Sequence, residues 1–222
     1  MDIASWHYHM LNHKLLLLNG PPSSGKDLIA DLLFKHFNCR KAKFAKPLKD
    51  AARALFLLHD EVALEAKKDE YTDAFFYSHT YRQVQIALSE DFLKQRFGKD
   101  IFGKLLLRQL HQPTNCSFTV VSDSGFLEEA VTVRKHYGRR NVYVLKLERD
   151  GTRYDGDSRG YLNLDGSWQV KVFKNNCSKT VLPRVVSMLV SSWLDVRPNT
   201  TILDRDMTNE ELQAFVDMQR TM

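Results

Sequence analysis

The chain has 222 residues, 43% of them hydrophobic and 27% charged, with a net charge of +5. That length suits a single domain with a sizeable core. No apolar run approaches the roughly 18 residues of a membrane-spanning helix, so no transmembrane helix is expected, and the expected setting is cytoplasmic, that of the host cell if the source is viral. The modest basic excess fits polyanionic partners, either DNA or nucleotides. Cys39, Cys116 and Cys177 are odd in number and widely spaced, which reads as three ordinary thiols and excludes a disulfide framework or a zinc site.

Residues 1–13 carry His7, His9 and His13 without a signal-peptide core and read as a flexible arm. From residue 14 the chain reads as one domain. Leu15 to Leu18 predict a buried strand, and Leu28 to Leu33 an amphipathic helix. Between them lies Gly20-Pro21-Pro22-Ser23-Ser24-Gly25-Lys26-Asp27. The spacing G-x-x-x-x-G-K between strand and helix is that of the phosphate-binding P-loop. Backbone N–H groups and the helix N-terminus attract a phosphate chain, and Lys26 reaches its terminal phosphates. ATP is therefore the expected donor, held by Gly20, Ser23, Ser24, Gly25, Lys26, Asp27 and Leu28. Asp27 stands where Ser or Thr usually holds magnesium. Two roles fit it: holding a magnesium-bound water, or stabilising the helix N-terminus.

Further along, Arg40 to Ala45 predict a short strand, and Pro47 opens a helix through Leu58. Lys46, Lys49 and Arg53 at this crevice edge are candidate contacts to an acceptor. Residues 59–112 read as a helical region covering the acceptor. It contains a charged helix over residues 60–70, a loop over 71–78, and helices over 80–97 and 100–110 separated by Gly98. Arg82, with Arg96 and Lys99, is a candidate for gripping an acceptor phosphate.

Phe118 to Ser122 predict a buried strand that Asp123 closes. A carboxylate at a strand C-terminus, across from the P-loop, suits hydrated magnesium or a catalytic base. The competing role is an N-cap for the helix predicted over 126–137. A strand over 141–147 follows. Residues 149–166 hold four glycines among polar residues and read as a mobile loop. Such a loop can close over ATP, with Arg159 neutralising charge on the transferred phosphoryl group. A strand over 168–173, a helix over 180–194 and a capping box at Thr208 and Glu211 complete the chain. The alternation of strands and helices predicts an α/β three-layer sandwich with a mostly parallel central sheet.

Ser24-Gly25-Lys26-Asp27, Phe44-Ala45-Lys46-Pro47-Leu48-Lys49-Asp50-Ala51 and Val121-Ser122-Asp123-Ser124-Gly125-Phe126 together resemble motifs of the phage deoxynucleoside monophosphate kinases. The resemblance implies a P-loop kinase using ATP and Mg2+, with Lys26, Asp123 and Arg159 as catalytic candidates, Asp27 and Asp123 at the metal, and Lys46, Lys49, Arg53 and Arg82 at the substrate. Departures concern the acceptor. Gly125 replaces an arginine common in the family, and Leu28 replaces a threonine. Such changes suit a derived group, the 5-hydroxymethyluracil DNA kinases, which phosphorylate the base hydroxymethyl group in viral DNA. Three functions are thus expected in order: that DNA-base kinase, a kinase of free deoxynucleoside monophosphates (dNMPs), and a non-catalytic ATP switch.

Overall fold

The computed structural model describes residues 13–71, 78–112 and 114–220. Five strands form one sheet: β1 (Lys14–Asn19), β2 (Cys39–Ala42), β3 (Phe118–Ser124), β4 (Val142–Glu148) and β5 (Gln169–Lys174). Their order is β2-β3-β1-β4-β5, and every pairing is parallel. The helices are α1 (Lys26–His36), α2 (Lys46–Leu55), α3 (Glu61–Ala66), α4 (Tyr81–Ile86), α5 (Lys94–Phe97), α6 (Ile101–Leu110), α7 (Leu127–Tyr137), α8 (Leu182–Leu194) and α9 (Asn209–Arg220). A π-helical stretch, Ala87–Leu93, joins α4 to α5, and a short 3-10 turn, Thr201–Leu203, precedes α9.

The four-leucine run of β1 shows why the sheet is a middle layer. Side chains alternate across a strand, so a strand buried on both faces is apolar throughout. Leu16 and Leu18 pack with Ile29 and Leu33 of α1 and Val185, Val186 and Leu189 of α8. Leu15 and Leu17 pack on the other face with Leu48 of α2, Phe102 and Leu106 of α6, and Ala130 and Val133 of α7. All four leucines are fully buried, each contributing about 1.5–3 kcal/mol relative to exposure. The result is the three-layer P-loop kinase sandwich, with the sheet parallel throughout the described residues.

The strand order places the crevice. From β1 the chain crosses to β2, and from β3 it crosses the other way to β4, so the connections diverge between β1 and β3. In open parallel sheets, ligands bind beyond the strand C-termini at such a point. The loops after β1 and β3, carrying the Gly20–Lys26 segment and Asp123, meet there.

Several expectations shift by a few residues, and four are corrected. The second strand ends at Ala42, because Phe44 and Ala45 turn their amides toward Asp123. His13 is not in a solvated arm. It is buried beside β3, with Nε2 2.9 Å from the Thr119 hydroxyl. The rest of the predicted arm, with His7 and His9, lies outside the described residues, as do residues 72–77 of the predicted loop. The helix expected over 80–97 is interrupted by the π-helical stretch, whose wider turn the apolar periodicity does not signal. The glycine-rich segment 149–166 is anchored at its centre, as described below. No helix among the described residues is long and apolar enough to cross a membrane.

Candidate active site

The P-loop is shaped by a close approach at Gly25 and a left-handed residue at Ser23. Gly25, at φ 97°, caps the N-terminus of α1. A Cβ there would meet Asn175 Nδ2 at 2.3 Å. That amide donates to the Ser24 carbonyl at 2.8 Å and so ties the end of β5 to the loop. Ser23 takes a left-handed φ of 63°, a conformation with a steric cost for a non-glycine residue that tight functional loops tolerate. Ser24 is fully buried, and its Oγ has no hydrogen-bond partner among the described residues. Lys26 folds back over its own loop, and its Nζ donates to the Gly20 and Pro21 carbonyls at 2.6 Å each. Burial, then the neighbouring Arg159 guanidinium, lowers the Lys26 ammonium to about 8. Crowded cations, helix-terminal amides and an orphaned hydroxyl fit a polyphosphate, and Lys26 retains a third N–H to offer it.

Asp27 follows Lys26 on α1. Ser122 Oγ on β3 donates to Asp27 Oδ1 at 2.8 Å, and Lys43 Nζ lies 2.8 Å from the same oxygen. Partial burial works against its charge, but the bonds from Lys43 and Ser122 prevail and hold the carboxyl below the usual range. The Asp27 side chain remains 70% exposed, so this pair is weak in net stability. Its significance is electrostatic: an ammonium occupies Oδ1 of Asp27, while among the described residues no hydrogen bond reaches Oδ2. Neither Lys43 nor Ser122 stands out in the sequence, because their partner lies on a different element.

Asp123 is the penultimate residue of β3 rather than lying beyond the strand. Its Oδ1 accepts from the Phe44 amide at 2.8 Å and its Oδ2 from the Ala45 amide at 2.9 Å. The N-cap role is therefore not filled: Phe126 caps α7 without a side-chain bond, and Asp123 clamps the β2–α2 turn instead. Burial raises its carboxyl against these two amides. Each oxygen keeps a free lone pair for a hydrated cation. Among the described residues no group of three or more His, Cys, Asp or Glu side chains converges as a metal site. The donor set that fits magnesium is the smaller one, one or two carboxylates with water and substrate phosphates supplying the rest.

Arg159 comes from the glycine-rich segment. It forks onto Asp157, Nε to Oδ1 at 2.9 Å and a terminal nitrogen to Oδ2 at 2.6 Å. Asn19, the last residue of β1, holds this segment in place. Its Nδ2 lies 3.0 Å from the Ser124 carbonyl, 3.0 Å from the Gly160 carbonyl and 3.2 Å from the Tyr154 hydroxyl. Its Oδ1 accepts from the Leu162 amide at 3.0 Å. Tyr161 adds a bond to the Leu147 carbonyl at 2.9 Å. A fully buried carboxamide thus ties strand, P-loop edge and arginine segment together.

The four acceptor candidates separate into two groups. Arg82 forks onto Asp69 and lies within electrostatic range of Asp157 and Arg159. Lys46 pairs with Asp50, Lys49 with Glu65, and Arg53 with Asp50 and Glu61. These three form a charge network along α2 and α3 with each cation matched by a carboxylate. Leu28 is partly exposed on the first turn of α1, where only its backbone amide is suited to phosphate.

No family model matches the chain. A protein of Acanthamoeba polyphaga mimivirus named "Putative deoxynucleotide monophosphate kinase" is 26% identical over 186 residues, covering 78% of this chain and 94% of that one. The crystal structure of a sugar kinase from Janibacter sp. HTCC2649 aligns over 83% of this chain and 95% of its own, at 15% identity and a TM-score of 0.41. The fold stands on the strand order and the loop, not on that second likeness. The chain is similar over most of its length to a protein named as a kinase, and it carries a G-x-x-x-x-G-K loop between β1 and α1 of an all-parallel sheet.

Proposed function

We propose that the protein is an ATP-dependent phosphotransferase that moves the γ-phosphate to a deoxynucleotide acceptor. One observation carries this reading: the Gly20–Lys26 loop joins the C-terminus of β1 to the N-terminus of α1, with Lys26, Asp27, Asp123 and Arg159 gathered at the same crevice. The loop amides and Ser24 hold the phosphates. Lys26 gives up loop carbonyls to reach the terminal phosphates, and Arg159 neutralises the charge that spreads over the transferred group. Asp27 and Asp123 are the carboxylates that would hold hydrated Mg2+, which would draw charge from the phosphate oxygens. Water exclusion falls to the segment that Asn19 anchors, with Tyr154 and Tyr161 stacked edge to face at 5.1 Å.

Two acceptors fit. A free dNMP is supported by the name of the mimivirus relative. The hydroxymethyl group of 5-hydroxymethyluracil in viral DNA is supported by the net charge of +5 and by the changed residues Leu28 and Gly125. The test is transfer from γ-labelled ATP to duplex DNA containing 5-hydroxymethyluracil and, separately, to the four common dNMPs. Label in either acceptor is expected, and which one is labelled decides between them. ATP binding without transfer to any acceptor would favour an ATP switch and refute the kinase reading.

A further inference from the structure

Gly125 sits where β3 turns toward α7, and the space above it belongs to Arg159. A Cβ on Gly125 would lie 2.6 Å from Arg159 Cβ, 2.8 Å from Cγ and 2.9 Å from Cδ. The nearest of these, Cβ, is fixed by the backbone at 159, and all three belong to the stem rather than to the swinging tip of the side chain. The backbone there has little freedom to retreat. The Gly160 amide donates to the Gly125 carbonyl at 3.2 Å, and Asn19 holds the Gly160 carbonyl from the other side. No side chain at 125 fits without displacing Arg159.

The other end of Arg159 is engaged as well. Both oxygens of Asp157 receive its guanidinium, and one of them also accepts the Arg159 amide at 3.0 Å. The Asp157 side chain is only 11% exposed and that of Arg159 27%. A carboxylate and a phosphate present the same pair of oxygens to an arginine fork, so they compete for it. Lys26 stands close enough for the Arg159 charge to disfavour its own, so an incoming polyanion relieves a repulsion that Asp157 only partly offsets.

We propose that Gly125 and Asp157 are positioning residues for Arg159: the bare glycine gives the arginine stem its berth, and the aspartate masks the guanidinium until a terminal phosphate takes it. This rests on the reading of the P-loop as an ATP site. It assigns the missing side chain at 125 a purpose, since a bulkier residue there would expel the arginine from the crevice.

The test is calorimetric binding of ATP and of ADP, without acceptor, to wild type, Gly125→Ala, Arg159→Gly, their double variant and Asp157→Asn. Arg159→Gly removes the stem along with the charge. It is expected to weaken ATP roughly ten- to hundredfold, the range of a lost charge-assisted bond, and ADP far less. Gly125→Ala should reproduce that loss, and the double variant should be no worse than Arg159→Gly alone. Asp157→Asn should tighten ATP several-fold and leave ADP unchanged. If Gly125→Ala does not fold, the double variant, with the stem gone, should fold again, and Asp157→Asn tests the mask independently. Additive losses in the double variant, or weaker ATP binding by Asp157→Asn, overturn the proposal and leave the ATP site standing. Failure of the wild type to bind either nucleotide overturns both.

Discussion

Two residues carry charge states that the crevice sets. Lys26 titrates near 8 in the nucleotide-free protein, because burial and Arg159 oppose its ammonium. A bound polyphosphate favours the ammonium, so its pKa rises on binding. ATP binding at pH 8.5 should then take up protons, read as a buffer-dependent heat in calorimetry, and affinity should fall as the pH climbs through 8. Absence of any proton uptake would contradict the placement of Lys26 at the phosphates. Glu129 on α7 is buried, and burial, then the Asp123 charge, pushes its carboxyl up to about 8. The folded state therefore keeps a proton that the unfolded chain releases near its ordinary value, and stability falls as pH rises from about 4.5 to 8. Glu129→Gln should remove that slope and stabilise the protein at pH 9 by up to a few kcal/mol, measured by denaturant unfolding at pH 5 and 9. At this scale the sequence revealed what spacing encodes. Gly20, Gly25 and Lys26 are fixed by contiguous geometry, and Asp27 by adjacency. Asn19, Lys43, Ser122 and Glu129 were illegible, because an asparagine or lysine near a strand end is ordinary until its partners, some more than 100 positions away, are known.

Among the elements, buried strands and capped helices were the most readable. The apolar runs of β1 and β3 announce strands covered on both faces, and the capping box of α9 is present as expected, Thr208 and Glu211 exchanging bonds at 2.8 and 3.2 Å. What the box does not show is that Glu211 is 2% exposed and shared with Arg184 and Arg205. This buried charge fixes α9 to α8. Glu211→Ala leaves Arg184 buried without its carboxylate and should cost about 3–5 kcal/mol, with the loss appearing as a lower midpoint in thermal unfolding. A loss below 1 kcal/mol would mean that the cap alone, and not the ion pair, anchors α9. The anchoring of the glycine-rich segment escapes the sequence for a related reason. Glycine and polar residues signal an irregular path, but whether that path is tied down depends on a remote side chain, here Asn19.

For the whole molecule, the sheet order explains why distant segments make one site. β1 and β3 are neighbours in the sheet though about 100 residues apart in sequence, which brings Asp27 to Ser122 and sets Asp123 across the crevice from Lys26. The proposed donor half of the reaction rests on this arrangement together with the loop. The acceptor half depends on α2 to α6, where Lys46, Lys49, Arg53 and Arg82 are each matched by a carboxylate and the periodicity of the sequence says nothing about what they face. The most direct test of the central account is phosphoryl transfer from γ-labelled ATP by the wild type and by Lys26→Ala, with 5-hydroxymethyluracil DNA and the dNMPs offered as acceptors. The account predicts acceptor labelling by the wild type and a loss of at least about a hundredfold in Lys26→Ala, the scale of removing one preorganised charge from a transition state. Labelling by Lys26→Ala at the wild-type rate would contradict it.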